Sequence, residues 1–205
     1  MIGASTQENG SFLVRLGGWL FERRTWIPQP LVVALLVPPR QDLPLAYVGA
    51  GAAIVLLGEA LRLDAVRHIG VISRTRSDRL GPLVSSGPFA HVRNPLYVGN
   101  IALWIGFAVS ARLLWLVPVF AVLLCVEYNA IIRWEEQLLE SRLGDAYRAY
   151  AARVPRWIPS GAGLKAQGSG LQTQAFSWGE TLFSERGTLI AIAAGYLLLW
   201  LRDRV

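Results

Sequence analysis

The sequence predicts an all-α, polytopic membrane protein of about five transmembrane helices, with a cofactor site at the cytosolic face. Three observations carry this expectation. Apolar residues make up 53% of the chain and charged residues 17%, against roughly a quarter charged in an ordinary soluble domain. The apolar residues gather in long runs almost free of charge. The charges collect between those runs with basic residues in excess, for a net charge of +6. Basic segments beside apolar runs suit the cytosolic side of a bilayer and its anionic lipid head groups. No nucleic-acid-binding module accompanies them, so no nucleic-acid partner is expected. No N-terminal pattern of a signal peptide stands out. Cys125, the single cysteine, sits in an apolar run without a disulfide partner in the chain. With only two histidines, no metal site is expected.

Taken in order, residues 1–26 form an N-terminal and interfacial segment. Phe12, Leu13, Leu16, Trp19, Leu20 and Phe21 recur at spacings of three and four among Arg15, Glu22, Arg23 and Arg24, the pattern of an amphipathic helix. Leu31–Val37 is apolar but short, and Pro38-Pro39 ends it. Either one helix crosses from about Phe12, or an interfacial helix precedes a short tilted crossing from about Ile27. Residues 27–159 form the core. Leu43–Leu61 has a length near the roughly 20 residues that a helix needs to cross the hydrocarbon. Gly49, Gly51, Ala53 and Gly58 give it a small-residue surface for close helix packing. Glu59 reaches Arg62 one turn on, and the helix continues through Asp64 and His68.

Residues 62–93 carry six Arg against two Asp, which places this loop on the cytosolic side. Its weak alternation around residues 70–89 suggests a short strand or extended turn. Leu96–Ala111 and Leu113–Ile132 then read as a helical hairpin with a tight turn at Arg112. The second helix runs on into a polar block, with Asn129, Arg133 and Glu136 on one face and Glu135 well around from them. Gly144 marks a break, residues 145–153 make further helical turns, and Pro155 and Pro159 close the block. Residues 160–186, rich in Gly, Ser and Gln, read as a tether. Residues 187–205 hold a last apolar run that ends on Trp200 and Arg202, both suited to an interface.

Chemistry has two places to sit, Gly87–Asn100 and Arg133–Pro159. His91, Arg93, Asn94 and Tyr97 lie at the mouth of the third crossing, with Pro95 in its first turn. The free N–H groups of that turn favour an anion. Arg93 suits a carboxylate, and Glu135 or Glu136 an amine or sugar hydroxyls. The pattern suits a zwitterionic ligand held at both ends. Against this stands a plainer reading, with Arg93 on a lipid phosphate and the Glu pair on a solvated face with Arg133 and Arg142.

These motifs carry a resemblance. GPFAHVRNPLYVG (Gly87–Gly99), EEQLL (Glu135–Leu139), LGDAYRAY (Leu143–Tyr150) and VPRWIP (Val154–Pro159) are similar, in order and separation, to the hallmark of the isoprenylcysteine carboxyl methyltransferase and phospholipid methyltransferase superfamily. The resemblance covers about residues 43–159. It implies S-adenosylmethionine bound near the cytosolic face and a methyl acceptor arriving from the bilayer, a membrane lipid or lipophilic molecule such as a lipid amine, thiol or carboxylate. It implies a bacterial inner-membrane location. The cofactor residues it implies are His91, Arg93, Asn94, Pro95, Tyr97 and Gly99, then Glu135 and Glu136, then Tyr147, Tyr150, Val154 and Pro155. Asn94 stands where the family has histidine; it hydrogen-bonds but does not ionise. Ile131 stands where the prenylcysteine enzymes carry an Arg that binds the substrate carboxylate, which weighs against that acceptor. Methyl transfer from a sulfonium is an in-line displacement, so the protein must position the partners and exclude water. Arg133 and Glu127 are the expected substrate-side residues. The competing classes are a membrane reductase-like or sterol-binding protein on a related scaffold, and a structural membrane protein.

Overall fold

A computed structural model describes residues 3–24, 26–39, 41–70, 83–159 and 175–204, with side chains from residue 12 onward. Among these residues the regular structure is helical: α1 (Gly3–Arg23), α2 (Pro28–Leu36), α3 (Ala46–Ile69), α4 (Pro95–Ser110), α5 (Leu116–Leu143), α6 (Asp145–Arg153) and α7 (Trp178–Arg202), with a 3-10 turn at Gly87–Ala90. Three helices, α3, α5 and α7, are long and apolar enough to cross a membrane, and α4 is a shorter apolar helix. The chain is thus an all-α integral membrane protein. The expected short strand around residues 70–89 falls mostly on residues 71–82, outside the described ones.

Of the two arrangements expected for the first crossing, the chain has the division of the second, one helix followed by a short one. α1 ends at Arg23 and α2 has nine residues, about 14 Å and far short of a bilayer's apolar core. Two prolines at the start of α2 and two after its end limit it. Leu31 and Leu35 of α2 are buried beside Leu199 of α7.

The α3–α4 pair is the spine. Gly51 faces Gly106 and Ser110, and Gly58 faces Gly99 and Ala102, in antiparallel register. A Cβ on Gly106 would lie 2.6 Å from Val55 Cγ2 and 2.8 Å from the Gly51 carbonyl oxygen, so glycine is required by close approach. Gly49, grouped with these in the sequence, meets nothing. The hairpin turn is where expected: Arg112 has φ +56°, and it returns the chain to α5. α1 packs on α5, with Gly17 against Ala130 and the rings of Phe21 and Trp134 4.9 Å apart.

α7 begins at Trp178, nine residues before the apolar run. Its start is fixed by a capping box in which Ser177 and Glu180 each satisfy the other's backbone N–H. The Phe176 amide donates to the Arg67 carbonyl at 2.9 Å, which sets α7 antiparallel to α3. One end of the bundle therefore gathers the C-termini of α3 and α5, the N-termini of α4 and α7, and α6. The other end is pinned by Arg112 to Asp203 at 2.6 Å, and by Arg202 donating to the carbonyls of Leu35 (2.7 Å) and Ala111 (2.8 Å).

Candidate functional site

The α4 start is built onto the segment after α6. The Arg93 amide donates to the Pro155 carbonyl at 2.9 Å, and Asn94 Nδ2 donates to the Arg156 carbonyl at 3.1 Å. Pro95 opens α4 and is buried. It lacks the N–H that the first turn would leave unpaired. Gly87, with φ +58°, lies against the His68 ring, which Asp64 holds through its carbonyl at 2.8 Å and its carboxylate at 3.3 Å.

These joints bring Arg93 to Glu136, with Nη1 3.1 Å from Oε1. Glu136 also accepts two hydrogen bonds from Arg156, at 3.0 and 2.5 Å. One carboxylate thus serves two guanidinium groups, and Arg93 Nε is buried without a hydrogen-bond partner. The clamp walls a cavity of about 510 Å³ that Arg133, Glu140, Tyr147 and Arg148 also line. Burial, then the charge of Glu136, pushes the Tyr147 phenol up to about 12. Hydrogen bonds from Arg156 to Glu136 push that guanidinium above its ordinary value.

The other expected residues scatter around this clamp. Tyr150 is buried and donates to the Phe89 carbonyl at 2.9 Å, and Val154 packs with Tyr147 and Tyr150. His91 follows the 3-10 turn, its amide on the Pro88 carbonyl, and lines neither cavity described here. Gly99 faces α3 against Gly58 and Arg62. The two adjacent glutamates part company, as expected from their angle on the helix. Glu135 accepts from the Tyr97 hydroxyl at 2.9 Å. The Tyr97 ring stacks on Tyr128 at 4.7 Å.

Tyr97 lines a second cavity of about 560 Å³, between α2, α4, α5 and α7, whose wall is mostly aliphatic and aromatic. Glu127 opens here, whereas Arg133 opens on the polar cavity. The two cavities follow one another along α5, one ending at Ile131 and the next starting at Arg133. At the polar end of the apolar cavity stands Arg62. It donates to Glu59 at 3.2 Å, Glu185 at 2.5 Å, Thr188 at 3.1 Å and Asn100.

The sequence reading gave no role to Arg156, although it lies inside the VPRWIP motif. It paired Arg62 with Glu59 alone and put Glu185 in the tether. A charged residue at the first turns of an apolar helix was the available signal for Glu185.

The profile of a family described as Phospholipid methyltransferase matches residues 46–146. The chain is 31% identical over 119 residues to the Protein-S-isoprenylcysteine O-methyltransferase of Schizosaccharomyces pombe, covering 55% of this chain and 50% of that protein. It is 30% identical over 125 residues to the protein of the same name from Rattus norvegicus, covering 57% and 42%. It is 35% identical over 77 residues to the Cobalt-zinc-cadmium resistance protein CzcN of Cupriavidus metallidurans, covering 38% and 35%. The matches thus span half or less of the length of each of these relatives. α3, α4, α5 and the start of α6, with the whole Arg93–Glu136 pair, lie inside the matched stretch, and on these grounds the chain is a homologue of the isoprenylcysteine carboxyl methyltransferase and phospholipid methyltransferase family of membrane methyltransferases.

Proposed function

We propose that this protein transfers the methyl group of S-adenosylmethionine to a lipophilic acceptor, with the donor in the polar cavity and the acceptor in the apolar one. The observation that carries the reading is the Arg93–Glu136–Arg156 clamp, with its buried, unpartnered Arg93 Nε at the cavity wall. A buried guanidinium N–H without an acceptor is costly, and a ligand carboxylate would supply one. Four Arg and two Glu line this cavity, so both charges of an amino-acid moiety find partners. Arg93 and Arg133 suit the carboxylate, Glu136 and Glu140 the ammonium, and the Tyr147 ring a purine face. The cavity volume also falls within the roughly 300–1,000 Å³ of small-molecule sites.

The donor, when bound, supplies an electrophilic methyl group on a sulfonium. The chain's own work is to orient that group and keep water away from it. The excess of arginine in the 62–93 loop supports a cytosolic position for the clamp end.

Titration of the purified protein with S-adenosylmethionine tests the donor. Saturable binding is expected, weakened strongly by Arg93→Ala and by Glu136→Ala. Normal binding in both variants would remove the clamp from the site. Incubation with labelled donor and a total lipid extract tests the reaction, and a parallel titration with a nicotinamide cofactor separates it from a reductase.

A further inference from the structure

The end of the bundle opposite the clamp repeats the clamp's charge ratio. There Arg112, in the α4–α5 turn, and Arg202, at the end of α7, share the carboxylate of Asp203, at 2.6 and 3.1 Å. Arg202 also donates to the carbonyls of Leu35 and Ala111. Arg112 is less well satisfied. Its side chain is 9% exposed, its contact with the Leu43 carbonyl is a long 3.4 Å, and its Nε is buried without a hydrogen-bond partner. A third guanidinium, that of exposed Arg204, lies 4.4 Å from the centre of the Trp200 ring. The Arg204 side chain makes no ion pair or hydrogen bond among the described residues. Asp42 is exposed and pairs with none of these arginines in that set. Cation is thus in excess around Asp203, and a buried N–H lacks an acceptor, which is costly.

The depth of the cluster names the anion. Trp115 and Trp200 are 50% and 52% exposed, and each lies within three residues of Arg112 or Arg202. Exposed tryptophans gather at the head-group level of a bilayer. The abundant anion at that level is lipid phosphate. The basic excess of the 62–93 loop belongs to the other end, so it does not account for these arginines.

We propose that this end carries a phosphate site for a phospholipid of the leaflet opposite the clamp, with Arg112 and Arg204 on the phosphate oxygens. Asp203 is the charge against which the phosphate competes. A phosphate offers several acceptor oxygens to forked guanidinium groups, whereas a neutral sugar head offers no charge. A lipid held there joins the α4–α5 turn to the end of α7, a helix that the family profile does not reach. The site is independent of the methyl transfer proposed above.

The test uses the full chain, delipidated in neutral detergent, with bound lipids counted by native mass spectrometry. Dioleoylphosphatidylglycerol is titrated beside monogalactosyl dioleoylglycerol, which has the same chains and no phosphate. The phospholipid is expected to bind more tightly. The clamp end is basic as well, so variants locate the site. Arg112→Gln is expected to weaken phospholipid binding about tenfold, the scale of one charged hydrogen bond. Arg204→Gln, at an exposed position, is expected to weaken it about threefold. Arg204 has no bond that holds the fold, so its variant reads binding even where Arg112→Gln fails to fold. Asp203→Asn removes the competing carboxylate and is expected to tighten binding about threefold or more. A purely structural cluster would gain no affinity in that variant. Equal binding of the two lipids, or an affinity that neither Arg204→Gln nor Asp203→Asn changes, overturns the proposal. Displacement of the phospholipid by an equal concentration of inorganic phosphate assigns the site to the free anion and overturns the lipid.

Discussion

Arg93 and Arg62 sit in similar surroundings and do opposite work. Each is a largely buried arginine near a helix end, gripped by glutamate across a helix interface. At Arg93 two guanidinium groups share one carboxylate, and one N–H stays unpartnered. At Arg62 two carboxylates share one guanidinium, and Asn100 and Thr188 take further donors. The first arrangement has cation to spare and faces a polar cavity. The second is closed to anions and joins α3, α4 and α7. The ratio of charges, more than their presence, separates a binding group from a structural one.

The largest expected effect tests the structural side. Arg62→Leu removes the guanidinium that the buried Glu59 and Glu185 share, and removing one partner of a buried pair costs about 3–5 kcal/mol. Thermal unfolding in detergent should show loss of most of the folded protein. Stability close to wild type would break the contrast with Arg93. Arg93→Ala tests the other side. Glu136 keeps both bonds from Arg156, so the melting temperature should change little. Donor affinity should fall about 10- to 100-fold, the value of a charged hydrogen bond or two. A large loss of stability instead would make Arg93 a second Arg62.

Gly106→Val probes the spine that sets Arg62 against Asn100. Overpacking at a helix crossing costs about 1–3 kcal/mol, read as a lower melting temperature. Gly49→Val, where a Cβ meets nothing, should be near neutral. The smallest effect lies at the far end. Burial pulls the Asp203 carboxyl upward, but hydrogen bonds from Arg202 and Arg112 outweigh it and hold the group below its ordinary 3.8. A carboxylate lowered on folding contributes stability above its unfolded value and loses it as pH falls through the folded one. A melting temperature followed below about pH 4 should therefore drop more in wild type than in Asp203→Asn.

The helices were legible where one physical signal dominated. The apolar runs gave α3, the α4–α5 hairpin and α7, and Gly144 and Arg112 fell at the breaks. The divergence of Glu135 and Glu136 followed from helical spacing alone. Long-range pairing was not legible. Arg156 bonds Glu136 from 20 residues away and Glu185 reaches Arg62 across 123, and neither separation leaves a periodic trace. The start of α7 was hidden because its first turns mix Glu180, Glu185 and Arg186 with apolar residues, and a capping box sets where they begin. α2 was hard to place for a related reason, since its prolines allow a helix too short to span by itself.

The shortness of α4 has a consequence for the membrane itself. At 16 residues it rises about 24 Å, while an unperturbed hydrocarbon core is about 30 Å thick. It is locked to α3 by interdigitated glycines and has little freedom to slide. A helix too short for its surroundings draws the two leaflets together around it. Head groups beside α4 would then lie deeper than elsewhere, nearer the level of Tyr97 and Asn100. Local thinning of the bilayer would deliver a polar head to a site inside the bundle without lifting its chain out of the leaflet.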